Sequence, residues 1–315
     1  MPIEKKRSIA NAVVTGATSF LGSSVVNLLL QRGCTVYGLV RPESTSRANL
    51  PRDERFHEIT TELSDTDRWI GAVGSADTFF HFAWGGPGVQ GRANAAVQKQ
   101  SAQNTMICLE AAACIGVTRF IFSGSQAEYG LVRGMTSETT PCAPISEYGK
   151  NKLEVCKKAP SAAAQHGMEY VHTRIFSIYG KNDHPYTLIP SCIRCFLENR
   201  TMELSSCQQL WNFLNVNDAS EAIVRLAECA LDTPSPVVNV AGEDTRPLWQ
   251  FVEEIHRLTG GLGVCAYGAR QGGDTSGDNW PDISYLKRLT GWNQQISFSE
   301  GVSELIRDEK RRNGE

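Results

Sequence analysis

The sequence predicts an α/β fold built on a doubly wound parallel sheet, and three observations support this. Short β-branched or aromatic runs recur at 12–15, 35–40, 78–82, 120–123 and 170–174. Between them, 21–31, 95–115 and 147–165 carry apolar residues at helical spacing. Strands that are apolar throughout are buried on both faces, and intervening helices supply the crossovers a parallel sheet requires. Finally, 315 residues with 41% hydrophobic and 21% charged content suffice for a large core.

The first strand runs into "VVTGATSFLG", residues 13–22. Gly16 permits a tight turn and Gly22 permits close helix–strand packing, so the following helix offers free N–H groups to a pyrophosphate. Ser19 stands where G-x-x-G-x-x-G has its middle glycine, and its hydroxyl can donate to phosphate. A glycine turn at this place makes the fold Rossmann-type. The second strand ends "GLVRPESTSR", with Val40 where an NAD site usually has a carboxylate for the ribose 2′-OH. Arg41 and Arg47 follow, and guanidinium suits a 2′-phosphate. NADP(H) is therefore the favoured cofactor, with NAD(H) the alternative.

After the run 120–122 comes "SGSQAEYG", residues 123–130, and "ISEYGKNKLE", 145–154, opens a helix. Tyr148 and Lys152 lie on one helical face. An ammonium beside a phenol favours phenolate, which makes Tyr148 a general acid/base, and Lys152 can also hold the nicotinamide ribose. Ser125, at the strand exit, is placed to hydrogen-bond the oxygen whose proton Tyr148 gives or takes.

Beyond Gly180 the texture changes. A short helix is expected at 191–198, strand at "QQLWNFLNVND", a helix at 219–231, a strand at 237–240 and a terminal helix from Glu300. The expected division is a nucleotide-binding core, 1–178 plus 209–241, and a smaller discontinuous C-terminal substrate lobe, 179–208 plus 242–315.

Net charge of −3 gives no polyanion-binding surface, so nucleic acid is not an expected partner. No apolar run approaches the roughly 18 residues of a membrane span, and the N-terminus shows no apolar leader. A cytoplasmic protein is expected. The ten cysteines include one C-x-x-C, Cys192 and Cys195, without zinc spacing. They read as small buried hydrophobes in a reducing compartment, and no metal is expected.

Taken together, "TGATSFLG", "HFAW" (81–84), "LEAAACIGVTRFIFSGS" (109–125), "SEYGKNK", "RIFSIYGKND" (174–183), "WNFLNVNDA" and "DISYLKRLTGW" (282–292) run nearly the length of the chain. They resemble the extended short-chain dehydrogenases/reductases of the nucleotide-sugar epimerase/dehydratase/reductase family. The resemblance implies Ser125, Tyr148 and Lys152 as catalytic residues. It also implies Gly16, Ser19, Phe20, Leu21 and Gly22 at the pyrophosphate, Glu62 and Leu63 at the adenine, and Ala83, Ser101, Ser123, Phe176 and Ile178 along the cofactor. A homodimer through a four-helix bundle of 95–115 and 147–165 is implied as well. Ser101 and Ser177 replace two asparagines of the family pattern, and Trp211 replaces an arginine.

Residues 126–127 narrow the reaction. The family's 4,6-dehydratases carry Asp-Glu where this chain has Gln126 and Ala127, and an amide and a methyl cannot perform that acid/base work. Ketoreduction at C4 or C3, or epimerisation through oxidation and re-reduction, remains. Gln126 and Glu128 either touch the sugar or satisfy backbone at the strand end. Further substrate-side candidates are Trp84, Ser177, His184, Arg194 and Arg270. His81 reads as a packed histidine, and the glycine-rich 84–93 as either a cover over the site or a surface loop, with Arg92 able to meet a phosphate. The leading reading is an NADP(H)-dependent reductase of a nucleotide-diphosphate sugar carrying a keto group. An NAD-dependent 4-epimerase and, more remotely, a non-catalytic nucleotide sensor are the alternatives.

Overall fold

A computed structural model describes residues 7–86, 88–270, 277–312 and 314. Pro87 of the 84–93 segment and residues 271–276 lie outside the described residues. Seven parallel strands form the central sheet: β1 (Asn11–Thr15), β2 (Thr35–Val40), β3 (Phe56–Thr60), β4 (Thr78–His81), β5 (Arg119–Ser125), β6 (Glu169–Ile175) and β7 (Val237–Val240). Their order is β7-β6-β5-β4-β1-β2-β3. The order reverses between β1 and β4, the crevice where such sheets receive a ligand.

Eight longer helices accompany the sheet: α1 (Phe20–Gln31), α2 (Thr66–Val73), α3 (Ala95–Cys114), α4 (Glu147–Gln165), α5 (Leu188–Leu197), α6 (Val216–Glu228), α7 (Leu248–Leu258) and α8 (Phe298–Arg312). Both β3 and α2 lie outside the elements the sequence predicted. In β3, "FHEIT", no residue is fully buried, because this strand closes one edge of the sheet and shows no continuous apolar run.

Each sheet face has its own core. Val25, Val26 and Leu29 of α1 and Ala222, Ile223 and Leu226 of α6 cover one. Cys108, Leu109 and Ala112 of α3, Val155 and Ala159 of α4, and Trp69 of α2 cover the other. There Phe79 and Phe120 stack across β4 and β5 with centroids 4.9 Å apart. Truncating either ring to alanine would cost about 3–5 kcal/mol. A third core joins Phe196 of α5, Phe251 of α7 and Phe298 of α8. Cys192 and Cys195 are buried in α5, and all ten cysteines are free thiols. Among the described residues no helix is long and apolar enough to cross a membrane.

Candidate active site

At the end of β1 the chain turns at Gly16 with φ +66°. A Cβ there would stand 2.9 Å from the Ala83 nitrogen, and one on Gly22 would stand 2.1 Å from the Gly16 carbonyl oxygen. Both positions require glycine, and the close approach sets the α1 N-terminus over the switch point. Ser19 caps α1, its Oγ accepting the Gly22 N–H at 3.1 Å. The hydroxyl proton remains available to donate outward. A cradle of backbone donors at a helix N-terminus, into which a Cβ would not fit, suits the pyrophosphate of a dinucleotide.

The loop after β2 packs on this turn: Thr18 and Ser44 hydroxyls meet at 3.0 Å, and Asn49 Nδ2 donates to the Thr18 carbonyl. Here the two arginines separate. Arg47 donates to Glu58 at 2.9 Å and to the carbonyls of Pro42, Ser44 and Arg41. Its guanidinium is engaged in holding the loop. Arg41 is exposed, with no side-chain partner among the described residues. Glu62 is exposed beyond β3, and half-buried Leu63 packs toward Trp69, whose Nε1 donates to its carbonyl.

The β5 exit and the start of α4 meet because Gly149 has no side chain: a Cβ there would lie 2.3 Å from the Ala127 carbonyl oxygen. Ser146 caps α4 by accepting the Gly149 N–H. Tyr148 is thereby brought beside Ser125, close enough for that hydroxyl to act on its titration. Burial raises the Tyr148 pKa, while Arg92 and the nearby Ser125 hydroxyl favour phenolate. The cation nearest the ring is Arg92, Cζ 4.8 Å from the centroid. Lys152 Nζ stands 5.6 Å from that centroid, donates to the Ser123 carbonyl at 2.5 Å and lies 3.7 Å over Trp84. Burial drives the Lys152 pKa well down, opposed by Glu128. The sequence assigned the acidification of Tyr148 to Lys152. Arg92 stands nearer the ring, and the Lys152 ammonium lies over the face of Trp84 as well.

Trp84 meets Tyr148 edge-on at 6.1 Å and is anchored by Nε1–H to Gln98 Oε1. The Ser101 hydroxyl accepts from Gly85 N and donates to the Val97 carbonyl, so it fixes the 84–86 loop. Ser123 Oγ donates to the His81 carbonyl. His81 is sealed between Thr15 and Thr105 hydroxyls at 3.0 Å each, and burial with Lys152 nearby lowers its pKa to about 3. Buried Phe176 packs on Tyr129, and half-buried Ile178 follows.

Of the substrate-side candidates, Gln126 is half-buried with no side-chain bond among the described residues. Glu128 takes the second of its two readings: it is 0% exposed, its Oε1 accepts the Ser125 backbone N–H, and its carboxylate is also bonded to His172 and Arg174. Ser177 Oγ accepts from Asn279 Nδ2 at 2.9 Å. His184 is exposed and stacks on Tyr186, whose hydroxyl faces Gly88 of the 84–93 loop. Arg194 donates to the Pro185 carbonyl and lines a small cleft with Asp308 and Glu309. Arg270 is exposed. Missed by the sequence reading were the bond partners His172 and Arg174. The available signal was two charged residues at alternate positions of a strand otherwise reading as buried.

The chain is similar to known proteins along most of its length. The profile of the family described as "NAD dependent epimerase/dehydratase family" matches residues 12–241. The chain is 26% identical over 310 residues to YtcB of Bacillus subtilis, described as an uncharacterized UDP-glucose epimerase, covering 93% of this chain and 96% of that protein. It is 24% identical over 308 residues to dTDP-6-deoxy-L-talose 4-dehydrogenase (NAD(P)(+)) of Kitasatospora kifunensis, 94% of each. UDP-glucose 4-epimerase of Thermotoga maritima, solved with UDP-glucose, superposes with a TM-score of 0.86 at 22% identity, over 97% of this chain and 100% of that one. The chain belongs to the NAD dependent epimerase/dehydratase family and is an NAD(P)-dependent enzyme of the extended short-chain dehydrogenase/reductase type.

Proposed function

We propose that this enzyme is an NADP(H)-dependent reductase of a keto group, at C4, on a nucleotide-linked deoxy-sugar. The observation that carries the reading is the meeting of Ser125 and Tyr148 at a strand exit where the next two side chains are an amide and a methyl, Gln126 and Ala127. Such a site moves one proton at a carbonyl oxygen and has no second acid or base with which to expel a hydroxyl. The nicotinamide supplies the hydride when bound. Tyr148 O–H donates to the carbonyl oxygen as charge develops there, and the Ser125 hydroxyl, whose Oγ already accepts from Ala127 N, directs its proton to the same oxygen. Lys152 and Arg92 hold positive charge near the phenol as it loses its proton. Exposed Arg41 supports the phosphate-bearing cofactor. The 24%-identical 4-dehydrogenase supports the substrate class.

Trp84, Gln126 and Ser177 border the proposed sugar site, and His184, Arg194 and Arg270 are proposed for the diphosphate side. We further propose the division at 178/179, 208/209 and 241/242, a cytoplasmic location, and a homodimer. In that dimer α3 and α4, packed side by side on one sheet face, would pair with their copies.

A 4-epimerase retaining NAD is the second reading, favoured by the full-length similarity to a protein named as a UDP-glucose epimerase. Releasing and identifying the cofactor of the purified protein separates the two. Stoichiometric bound NAD+ with turnover of UDP-galactose overturns the reductase reading. NADPH oxidation by a dTDP-, UDP- or CDP-linked 4-keto-6-deoxyhexose supports it.

A further inference from the structure

We propose that Glu128 is a positioning residue for Ser125: clamped from behind by His172 and Arg174, its carboxylate fixes the backbone that presents the Ser125 hydroxyl beside Tyr148. The inference rests on the reading of Ser125 as a catalytic hydroxyl.

Glu128 sits three residues beyond Ser125 at the end of a single tight turn, Gln126–Glu128. Its Oε1 accepts the Ser125 N–H at 2.8 Å, while Ser125 Oγ accepts the Ala127 N–H at 3.2 Å. The reciprocal pair closes the turn as a capping box closes a helix end. A glutamate doing only this would be solvated and mobile, but this one is fully buried. His172 Nε2 reaches both oxygens, at 2.9 and 3.0 Å, and Arg174 Nε reaches Oε2 at 2.9 Å. On the far side of the imidazole, Nδ1 pairs with the Tyr170 hydroxyl at 2.9 Å. Cys156, on α4 one turn beyond Lys152, lies beside the same carboxylate and imidazole.

The strand register explains how the clamp is built. His172 and Arg174 alternate with Thr173 on β6, opposite Phe122 and Gly124 of β5. They therefore project to the sheet face that carries Glu128. Gly124 makes the room: a Cβ there would stand 2.3 Å from His172 Nε2 and 2.6 Å from Glu128 Oε1. A buried carboxylate with two cationic partners has one arrangement, and removing one partner is strongly unfavourable. The Ser125 amide inherits that rigidity. The charge also acts on Lys152, where Glu128 opposes the effect of burial.

The test compares Glu128→Ala with Glu128→Gln, which keeps an acceptor for the Ser125 N–H. Two readouts are used: amide hydrogen exchange of 123–130, and kcat with NADPH and a dTDP-linked 4-keto-6-deoxyhexose or, for an epimerase, with UDP-galactose. In Glu128→Ala, exchange at Ser125 should quicken and kcat fall roughly 10²-fold, the effect of a misplaced reacting group. The NADPH dissociation constant should stay within about twofold of wild type. Glu128→Gln should regain about tenfold or more of the lost kcat. An alanine variant with wild-type exchange or kcat overturns the proposal, as does a folded glutamine variant no better than alanine. If Glu128→Ala does not fold, His172→Gln decides. Faster Ser125 exchange with lower kcat supports the clamp, and wild-type values of both overturn it. A wild-type protein inert toward every nucleotide sugar removes the functional reading instead, and the exchange readout then decides the positioning alone.

Discussion

Arg92 lies over the Tyr148 ring, its Cζ 4.8 Å from the ring centroid, closer than the Lys152 ammonium at 5.6 Å. The cation nearer the phenol proposed to transfer the proton thus comes from the 84–93 segment, which also carries Trp84. Burial raises the Tyr148 pKa and Arg92 lowers it. Arg92 likewise lowers the Lys152 pKa, on top of burial. In Arg92→Gln both groups should hold their protons to higher pH. In the oxidative direction, where phenolate is the base, the rising limb of the pH–rate profile should move alkaline. In the reductive direction, where Tyr148 is the acid, activity should persist to higher pH. Profiles that superpose on wild type in both directions would discard the coupling.

The two arginines after β2 make opposite predictions. Arg41 is exposed and has no side-chain partner among the described residues, and a hydrogen bond to a charged group contributes about 1.5–3 kcal/mol. Arg41→Ala should weaken NADPH binding by roughly ten- to a hundredfold and leave NADH binding nearly unchanged. Arg47→Ala removes bonds to Glu58 and three carbonyls that hold the loop. It should weaken both cofactors together, because the loop that bears Arg41 loosens. Isothermal titration of the two variants with each nucleotide decides. Equal loss for NADPH and NADH in Arg41→Ala would remove the NADP preference.

Much of this was legible in the sequence because it rests on local spacing. Gly16 and Gly22 bracket a turn, Tyr148 and Lys152 are one helical turn apart, and the inner strands read as apolar runs. What was not legible depends on register between distant segments. Glu128 pairs with His172 and Arg174, 44 and 46 positions away, only because β5 and β6 align Phe122 with His172 and Gly124 with Arg174. The Lys152 ammonium lies over Trp84, from another strand exit, at 3.7 Å, a contact no local spacing announces. Edge strand β3 escaped because its residues are only partly covered and its pattern is weak.

Gly22 gives a structural test of the cradle. A Cβ at this position would stand 2.1 Å from the Gly16 carbonyl and 2.9 Å from Ser19 Oγ. Backbone must shift to admit it, at about 1–3 kcal/mol for an overpacked site. Gly22→Ala should lower the melting temperature and abolish stabilisation by either dinucleotide. Gly71, with nothing within 4 Å of its virtual Cβ, is the control. Gly71→Ala should leave cofactor binding intact. A Gly22→Ala protein still stabilised by NAD(P) would refute the cradle.

Two buried histidines are shifted in opposite directions, and together they shape the pH dependence of stability. Burial holds His81 neutral, lowering its pKa from 6.5 to about 3. Its contribution is full above pH 6.5 and is lost as pH falls toward 3, because the unfolded chain takes up a proton that the folded one refuses. For His172 burial is outweighed by Glu128 and Cys156, and the pKa rises to about 9. That contribution is full below pH 6.5 and is lost as pH rises through 9. The other groups facing His172 are Arg174, from its own strand, and Tyr170. The stability advantage of wild type over His172→Gln should therefore be greatest below pH 6.5 and shrink steadily toward pH 9. Wild type compared with His81→Asn should lose ground in the opposite direction, as pH falls below 6.5. Thermal melts of the three proteins from pH 4 to pH 9 provide the measurement. Parallel curves would mean that neither imidazole keeps its folded-state charge, and the clamp on Glu128 would then lack the cation that His172 supplies.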